Sequence, residues 1–286
     1  MIHESRFRSH DDLDLFERRW IPQGTPVANL ILLHGYAEHS GRYDHVAEVL
    51  NAIGCTVCAY DQRGHGRSEG RRGYINAFED LITDLDAYVG HLRPHLDDKP
   101  LFMMGHSMGG LVLVHYVQTY DVRVRGLVFS SPFLAIPPDV SRLLVALADV
   151  LGALTPWLPV ASLDTQAVAR DPAVVRAYET DPLNYHGRVR SRTGAQLNGA
   201  IAQARARFDR VTAPVYIVHG AEDRLVPAEG SRLLYERCRS DDKTLKVYEG
   251  GYHELLNDFG KEGVLKDLCA WLAARSSPGS KSSTPP

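Results

Sequence analysis

The chain has 286 residues, 44% of them hydrophobic and 23% charged, with a formal net charge of −3. These are the proportions of an ordinary globular protein, and so small a net charge gives no sign of a polyanion-binding surface. Four cysteines do not make a disulfide scaffold in this length, no apolar run is long enough for a bilayer, and the polar start HESRFRSHDD holds no signal region. A cytoplasmic placement is expected, with association at a membrane surface left open.

Taken in order, Ser5 to Ser9 and Leu13 to Ile21 alternate around Asp11-Asp12 and predict an antiparallel entry. Pro22 to Pro26 breaks the chain. Ala28 to Leu33 predicts a buried strand that ends in the loop HGYAEHSGRY, residues 34–43. In that loop His34, Glu38 and His39 follow neither zinc-binding helix pattern, so no metal is expected there. Asp44 to Ile53 predicts a helix, and Cys55 to Tyr60 a second buried strand. Cys55 and Cys58 stand three apart on it and therefore face opposite sides, which predicts inert buried thiols rather than a metal or redox pair. The glycine-rich loop from Asp61 to Gly70 is expected to form a hydrogen-bonded network under the site. Phe78 to Leu92 predicts a helix with an apolar stripe.

Leu101 to Met104 predicts another buried strand, and Gly105-His106-Ser107-Met108-Gly109 then spells G-x-S-x-G before a helix. A serine at the tip of a tight strand-to-helix turn tolerates no side chains at its neighbours, so the flanking glycines are a physical requirement. The turn lifts the Ser107 hydroxyl clear of the sheet, beside the positive end of the helix dipole. Serine is a weak nucleophile and needs a base, and the base needs a carboxylate to fix its tautomer. Two later residues follow strands in the same way. Asp223 follows the strand Pro214 to Val218, and His253 follows Lys243 to Tyr248. Residues at the ends of parallel strands emerge at one sheet edge. Glu222 is the alternative acid, and His106 is expected to pack and hydrogen-bond rather than act as the base. Acyl transfer also needs two N–H groups for the developing oxyanion; the amides of Met108 and Tyr36 are the candidates.

Strand and helix alternate from about 28 to 130, which predicts a mostly parallel sheet with helices on both faces. The order Ser107, Asp223, His253 is the one expected of the α/β-hydrolase fold. Residues 133–207 show no clear strand. A long apolar helix from Val140 to Leu158, with Val140, Leu144, Leu147, Leu151 and Leu154 on one face, and a second helix from Gly194 to Phe208 predict an all-helical cap. It is inserted before the last two strands. The expected division is therefore a core of residues 1–132 and 208–275, a cap of residues 133–207, and a disordered tail of residues 276–286. A cap with an exposed apolar edge would suit transient contact with a membrane surface, and self-association through it is open.

The segments HGYAEHSGRY (34–43), DQRGHGRSEGRRG (61–73), GHSMGG (105–110), HGAEDRLV (219–226) and GYHELLND (251–258) resemble the monoacylglycerol lipase and lysophospholipase branch of the serine α/β-hydrolases. The resemblance covers about 28 to 274. It implies Ser107, Asp223 and His253 as the triad, the Tyr36 and Met108 amides as the oxyanion hole, and Glu38 and Arg42 as contacts to the glycerol end of a small lipid ester. No cofactor and no nucleic acid is implied. The expected function is hydrolysis of monoacylglycerols through an acyl-enzyme. The alternatives are a lysophospholipase, for which Arg188, Arg190 and Arg192 keep a phosphate contact open, and a broad carboxylesterase. Remoter readings are a non-catalytic hydrolase-like binding protein and a cofactor-free haloperoxidase- or dioxygenase-like enzyme.

Overall fold

The computed structural model describes residues 1–96, 98–137 and 140–276. Its strands are β1 (Ile2–Arg8), β2 (Asp14–Trp20), β3 (Ala28–Leu33), β4 (Cys55–Tyr60), β5 (Leu101–His106), β6 (Gly126–Ser130), β7 (Pro159–Ala161), β8 (Val189–Arg190), β9 (Val215–Gly220) and β10 (Lys243–Tyr248). The helices are α1 (Asp44–Ala52), α2 (Phe78–Leu92), α3 (Met108–Thr119), α4 (Arg142–Ala146), α5 (Ala148–Leu154), α6 (Pro172–Thr180), α7 (Ser191–Ala206), α8 (Glu229–Arg237) and α9 (Lys261–Ser276). Eight strands form one sheet in the order β1-β2-β4-β3-β5-β6-β9-β10. It is parallel from β4 to β10, and β1 and β2 join one edge as an antiparallel hairpin. The predicted tail lies outside the described residues except for Ser276.

The central strands form because both of their faces are covered. Every residue of β3, β4, β6 and β9 is buried. Alternate side chains divide between two cores, as the two-residue period of a strand requires. Ile31 and Leu33 pack with α2, α3 and α7 through Leu85, Leu111 and Ile201. Leu30 and Leu32 pack with α1 and α9 through Leu50 and Leu268. Cys58 belongs to the first core and Cys55 to the second, and burial pushes both thiols up to about 12. The thiolate, which is the reactive form, is thereby suppressed.

Strands β6 and β9 are neighbours in the sheet, and all of α4 to α7 lies between them in sequence. The intervening segment is not all-helical. β7 and β8 pair as an antiparallel ribbon. The long helix expected from Val140 to Leu158 is two short ones, interrupted at Leu147. Nor is its apolar face single. Val140 and Leu151 face an internal cavity, whereas Leu147 and Leu154 are exposed. Gly152 allows the close approach of α5 to α7, since a Cβ there would lie 2.8 Å from that of Ala195.

Side chains clamp this segment to the loops around the sheet and to the start of α2. Thr193 Oγ1 accepts from the Ile75 amide at 3.0 Å, and Gln196 Oε1 from the Phe78 amide at 2.9 Å. On the opposite flank Arg170 pairs with Asp258 at 2.9 Å. Beyond α5, Trp157 stacks on Tyr74 with ring centroids 4.2 Å apart, and the Arg71 guanidinium sits 4.0 Å from the Trp157 ring. Among the described residues no helix is long and apolar enough to cross a membrane.

Candidate active site

The turn after β5 holds a non-glycine residue at positive φ. Ser107 has φ +50° and ψ −118°, a conformation costly for any residue with a Cβ. Its neighbours explain how it forms. A Cβ at Gly105 would lie 2.5 Å from the Gly109 carbonyl oxygen, and one at Gly109 would lie 2.5 Å from that of His34. The Ser107 amide donates to Ser130 O at 3.0 Å, and its carbonyl accepts from the amides of Gly110 and Phe133 at 2.9 Å each. The turn is therefore pinned on three sides while the hydroxyl faces a cavity. Ala37 and Ser131 also have positive φ, at +67° and +43°, and both adjoin the same site.

Asp223 follows β9, and its side chain is buried. Its Oδ1 accepts from the amides of Leu225 and Val226, at 2.9 Å each. Its Oδ2 lies 2.7 Å from His253 Nδ1. A carboxylate can only accept here, so Nδ1 of His253 carries the proton and Nε2 is left with a lone pair. Burial alone would raise the Asp223 pKa; the charge of His253 and the hydrogen bond from His219 reverse this and hold it far below the usual carboxylate range. Burial pushes His253 down, and the Asp223 charge and hydrogen bond more than restore it, leaving it above its ordinary value. Glu222 does not reach His253. Its amide bonds to Gly251 O and its side chain is exposed.

Sequence reasoning missed a second imidazole on the acid. His219 is fully buried, and its Nε2 lies 2.9 Å from Val226 O and 3.2 Å from Asp223 Oδ2. Both oxygens can only accept, so Nε2 carries the proton, and the Ser231 hydroxyl donates to Nδ1 at 2.7 Å. The signal was available: His219 is the penultimate residue of the strand that delivers Asp223.

The loop after β3 is built from the inside. His34 Nε2 accepts from the Gln62 amide at 2.9 Å, and the Gln62 side chain donates back to His34 O at 2.6 Å. The Tyr36 hydroxyl donates to Gly73 O at 2.7 Å. Asp61 accepts from the Ser40 amide, the Ser40 hydroxyl and the Arg67 amide, so the glycine-rich loop braces this one from below. Neither the Tyr36 amide nor that of Met108, at the start of α3, meets a protein acceptor among the described residues. His106 lies between the loops, its ring centroid 4.8 Å from that of His253. Burial and the nearby His253 charge lower its pKa to about 4, so it stays neutral.

Glu38 and Arg42 differ in position. Glu38 lines the cavity, and Arg42 does not. Arg42 lies behind the wall with both guanidinium nitrogens on Glu254, at 2.6 and 2.7 Å, and one on Glu38 at 2.9 Å. It is spent on protein partners, so the contact to substrate expected of it is not available in this arrangement. Arg188, Arg190 and Arg192 are likewise outside the lining; Arg190 donates to Trp157 O and Arg192 to Asn76 O.

The cavity has a volume of about 730 Å³. Ser107, Asp223, His253, Glu38 and the Tyr36 and Met108 backbones bound one end. Val145, Leu151, Leu163, Leu197 and Ile201, all from the segment between β6 and β9, roof an apolar chamber. The described residues bring one His/Asp/Glu group to metal-binding distances: His10, Asp11 and Asp84. None of the three lines this cavity, and Arg63 already pairs with both acids.

A parallel sheet with a serine at a strained strand-to-helix turn, and an acid and histidine delivered by later strands, defines the serine α/β-hydrolases. The chain belongs to the family described as serine aminopeptidase, S33, whose model matches residues 24–259. It is 42% identical to a monoacylglycerol lipase of Mycolicibacterium smegmatis, over 89% of this chain and 91% of that one. It is 33% identical to the monoglyceride lipase of Homo sapiens, over 95% and 90%. The crystal structure of the Paleococcus ferrophilus monoacylglycerol lipase superposes with a TM-score of 0.82 at 35% identity, over 91% of this chain and 99% of that one. The chain is thus a serine ester hydrolase.

Proposed function

We propose that the protein hydrolyses monoacylglycerols to glycerol and fatty acid through an acyl-enzyme on Ser107. The observation that carries this is the lining of the cavity, which joins Ser107 and His253 to a long run of apolar side chains from the segment between β6 and β9. The acyl chain occupies the chamber under the cap of residues 133–207, and the glycerol lies at the polar end. His253 Nε2 takes the Ser107 proton as Oγ attacks the ester carbonyl. The Tyr36 and Met108 amides hold the oxyanion, and Asp223 stabilises the imidazolium. The same proton then leaves with glycerol, and a water, activated by His253, releases the fatty acid.

Charge at the polar end supports a neutral head group. Glu38 and Glu254 line it, whereas Arg224, the one arginine in the lining among the described residues, donates to Gln166 O. A phosphate would meet carboxylates there. Aminopeptidase chemistry needs a carboxylate free to pair with a substrate ammonium, and both glutamates are paired with Arg42. The test is turnover of monoacylglycerols of several chain lengths, a lysophosphatidylcholine and a p-nitrophenyl ester, with Ser107→Ala as blank. Preference for the lysophospholipid would overturn the assignment.

The cap also supports contact with a lipid surface. Leu143, Val150, Leu154, Trp157 and Leu158 are all exposed there, an apolar patch next to the chamber. Wild-type protein should float with neutral lipid vesicles, and Leu143→Asp/Leu154→Asp should not. If neither floats and the wild type sediments as a dimer, the patch is a self-association surface instead.

A further inference from the structure

Three buried charges beside His253 have no step in the chemistry above. Glu38, Arg42 and Glu254 are all at or near full burial, where an ion pair is costly unless it is fully bonded. Here it is. Glu38 Oε1 accepts from the Gly35 amide at 2.5 Å and the Tyr43 hydroxyl at 2.8 Å, and Oε2 takes Arg42 at 2.9 Å. Arg42 then forks onto both oxygens of Glu254, and Asn257 Nδ2 donates to Glu254 at 2.9 Å. The Tyr178 ring of α6 covers the guanidinium at 4.8 Å. Gly35 immediately precedes Tyr36, and Glu254 immediately follows His253. The contact between Arg42 and Glu254 spans 212 positions of sequence.

We propose that Glu38, Arg42 and Glu254 are positioning residues, a buried ion triad that ties the loop bearing the Tyr36 amide to the loop bearing His253 and leaves one net negative charge beside the imidazole. This rests on the serine-hydrolase reading above. The two effects are distinct. The tie keeps the oxyanion donor and the base at a fixed separation. The surplus charge favours the imidazolium formed when His253 accepts the Ser107 proton. Burial pushes the Glu38 carboxyl up, but the Arg42 charge and the bond from the Gly35 amide hold it down at about 2, so it stays ionised, and burial keeps the adjacent His106 and His34 neutral. The other ionisable groups facing this cluster are Asp223 on the β9 loop, His106 at the end of β5, Tyr43 before α1 and Tyr178 on α6. Both tyrosines are pushed up by burial and stay neutral, so none of these groups cancels the surplus.

Arg42→Met would leave two buried carboxylates facing each other and is expected to unfold the region, so Glu254→Gln is the informative variant. It keeps the shape and removes one charge. The expected result is a kcat about tenfold lower on both a monoacylglycerol and a p-nitrophenyl ester, with KM changed less than about twofold. His253 must be neutral to act as base, so rate rises with pH through its pKa. Losing a nearby negative charge lowers that pKa, and the acid limb of kcat/KM moves down by about one pH unit. Arg42→Lys keeps the charge without the fork and should lose kcat while leaving the acid limb near its wild-type pH. An unchanged kcat and acid limb in Glu254→Gln would overturn the proposal. So would a rise in KM confined to the glycerol ester, which would make these residues substrate contacts. Failure of the underlying reading is seen separately, as turnover by Ser107→Ala.

Discussion

Replacing Ser107 by glycine removes the hydroxyl and should also make the protein more stable. The residue sits at φ +50°, ψ −118°, where a Cβ costs about 1–3 kcal/mol. Alanine keeps that Cβ and therefore the strain; glycine relieves it. Against the gain stands the greater freedom of glycine in the unfolded chain, about 0.5–1 kcal/mol. Little packing is lost, because the Ser107 side chain borders the cavity rather than the core. The balance favours Ser107→Gly over Ser107→Ala by about 1 kcal/mol at mid-range, with extremes of about 0 and 2.5 kcal/mol. For a chain of this size the mid-range value is a Tm difference of roughly 2–4 °C. Both variants should be inactive on any ester, so activity checks the nucleophile while thermal melts at one pH check the strain. A glycine variant melting below the alanine variant would refute the idea that the turn stores backbone strain.

Other outcomes follow from the same geometry. Asp223→Asn offers an amide to His253 Nδ1 and stabilises the wrong tautomer, so kcat should fall on the order of 10⁴-fold with little change in KM. His219→Leu removes one of the four donors to Asp223 and leaves the Ser231 hydroxyl without its partner; denaturant melts should show a loss of about 1–3 kcal/mol, and His219→Gln should recover part of it. Glu38 has a folded pKa lowered to about 2 from an ordinary 4.5. Its contribution is therefore full above the ordinary value and is lost as pH falls toward 2, an effect on the order of 3 kcal/mol. Tm measured from pH 6 down to pH 2.5 should fall less steeply in Glu38→Gln than in wild type.

What could be read in advance follows from where the signal was local. β3, β4, β5 and β6 are short apolar runs because both faces are buried, and the glycines of the elbow are dictated by contacts within a few residues. The positions of Asp223 and His253 were legible because parallel strands deliver their ends to one edge. The cap was legible only in outline. β7 and β8 are three and two residues long, too short to carry a period, and no pattern marks their pairing. The apolar helix from 140 to 158 gave no sign of its break because apolar residues face both the cavity and the outside. The partner of Arg42 is remote in sequence, and reading Arg42 as a substrate contact missed that its guanidinium was already taken.

The Trp157 stack gives the molecule a built-in optical probe. The chain has three tryptophans. Trp20 and Trp271 are 3% and 7% exposed and belong to the core that includes α1 and α9 and no residue of the cap. Trp157 is 47% exposed and rests on Tyr74 and Arg71, which belong to the loop below the cap. Any displacement of α5 from that loop parts the indole from a phenol and a guanidinium and alters its emission, while the other two indoles stay in place. Intrinsic fluorescence therefore follows this corner of the roof through a single ring, without a label, in real time as lipid is added.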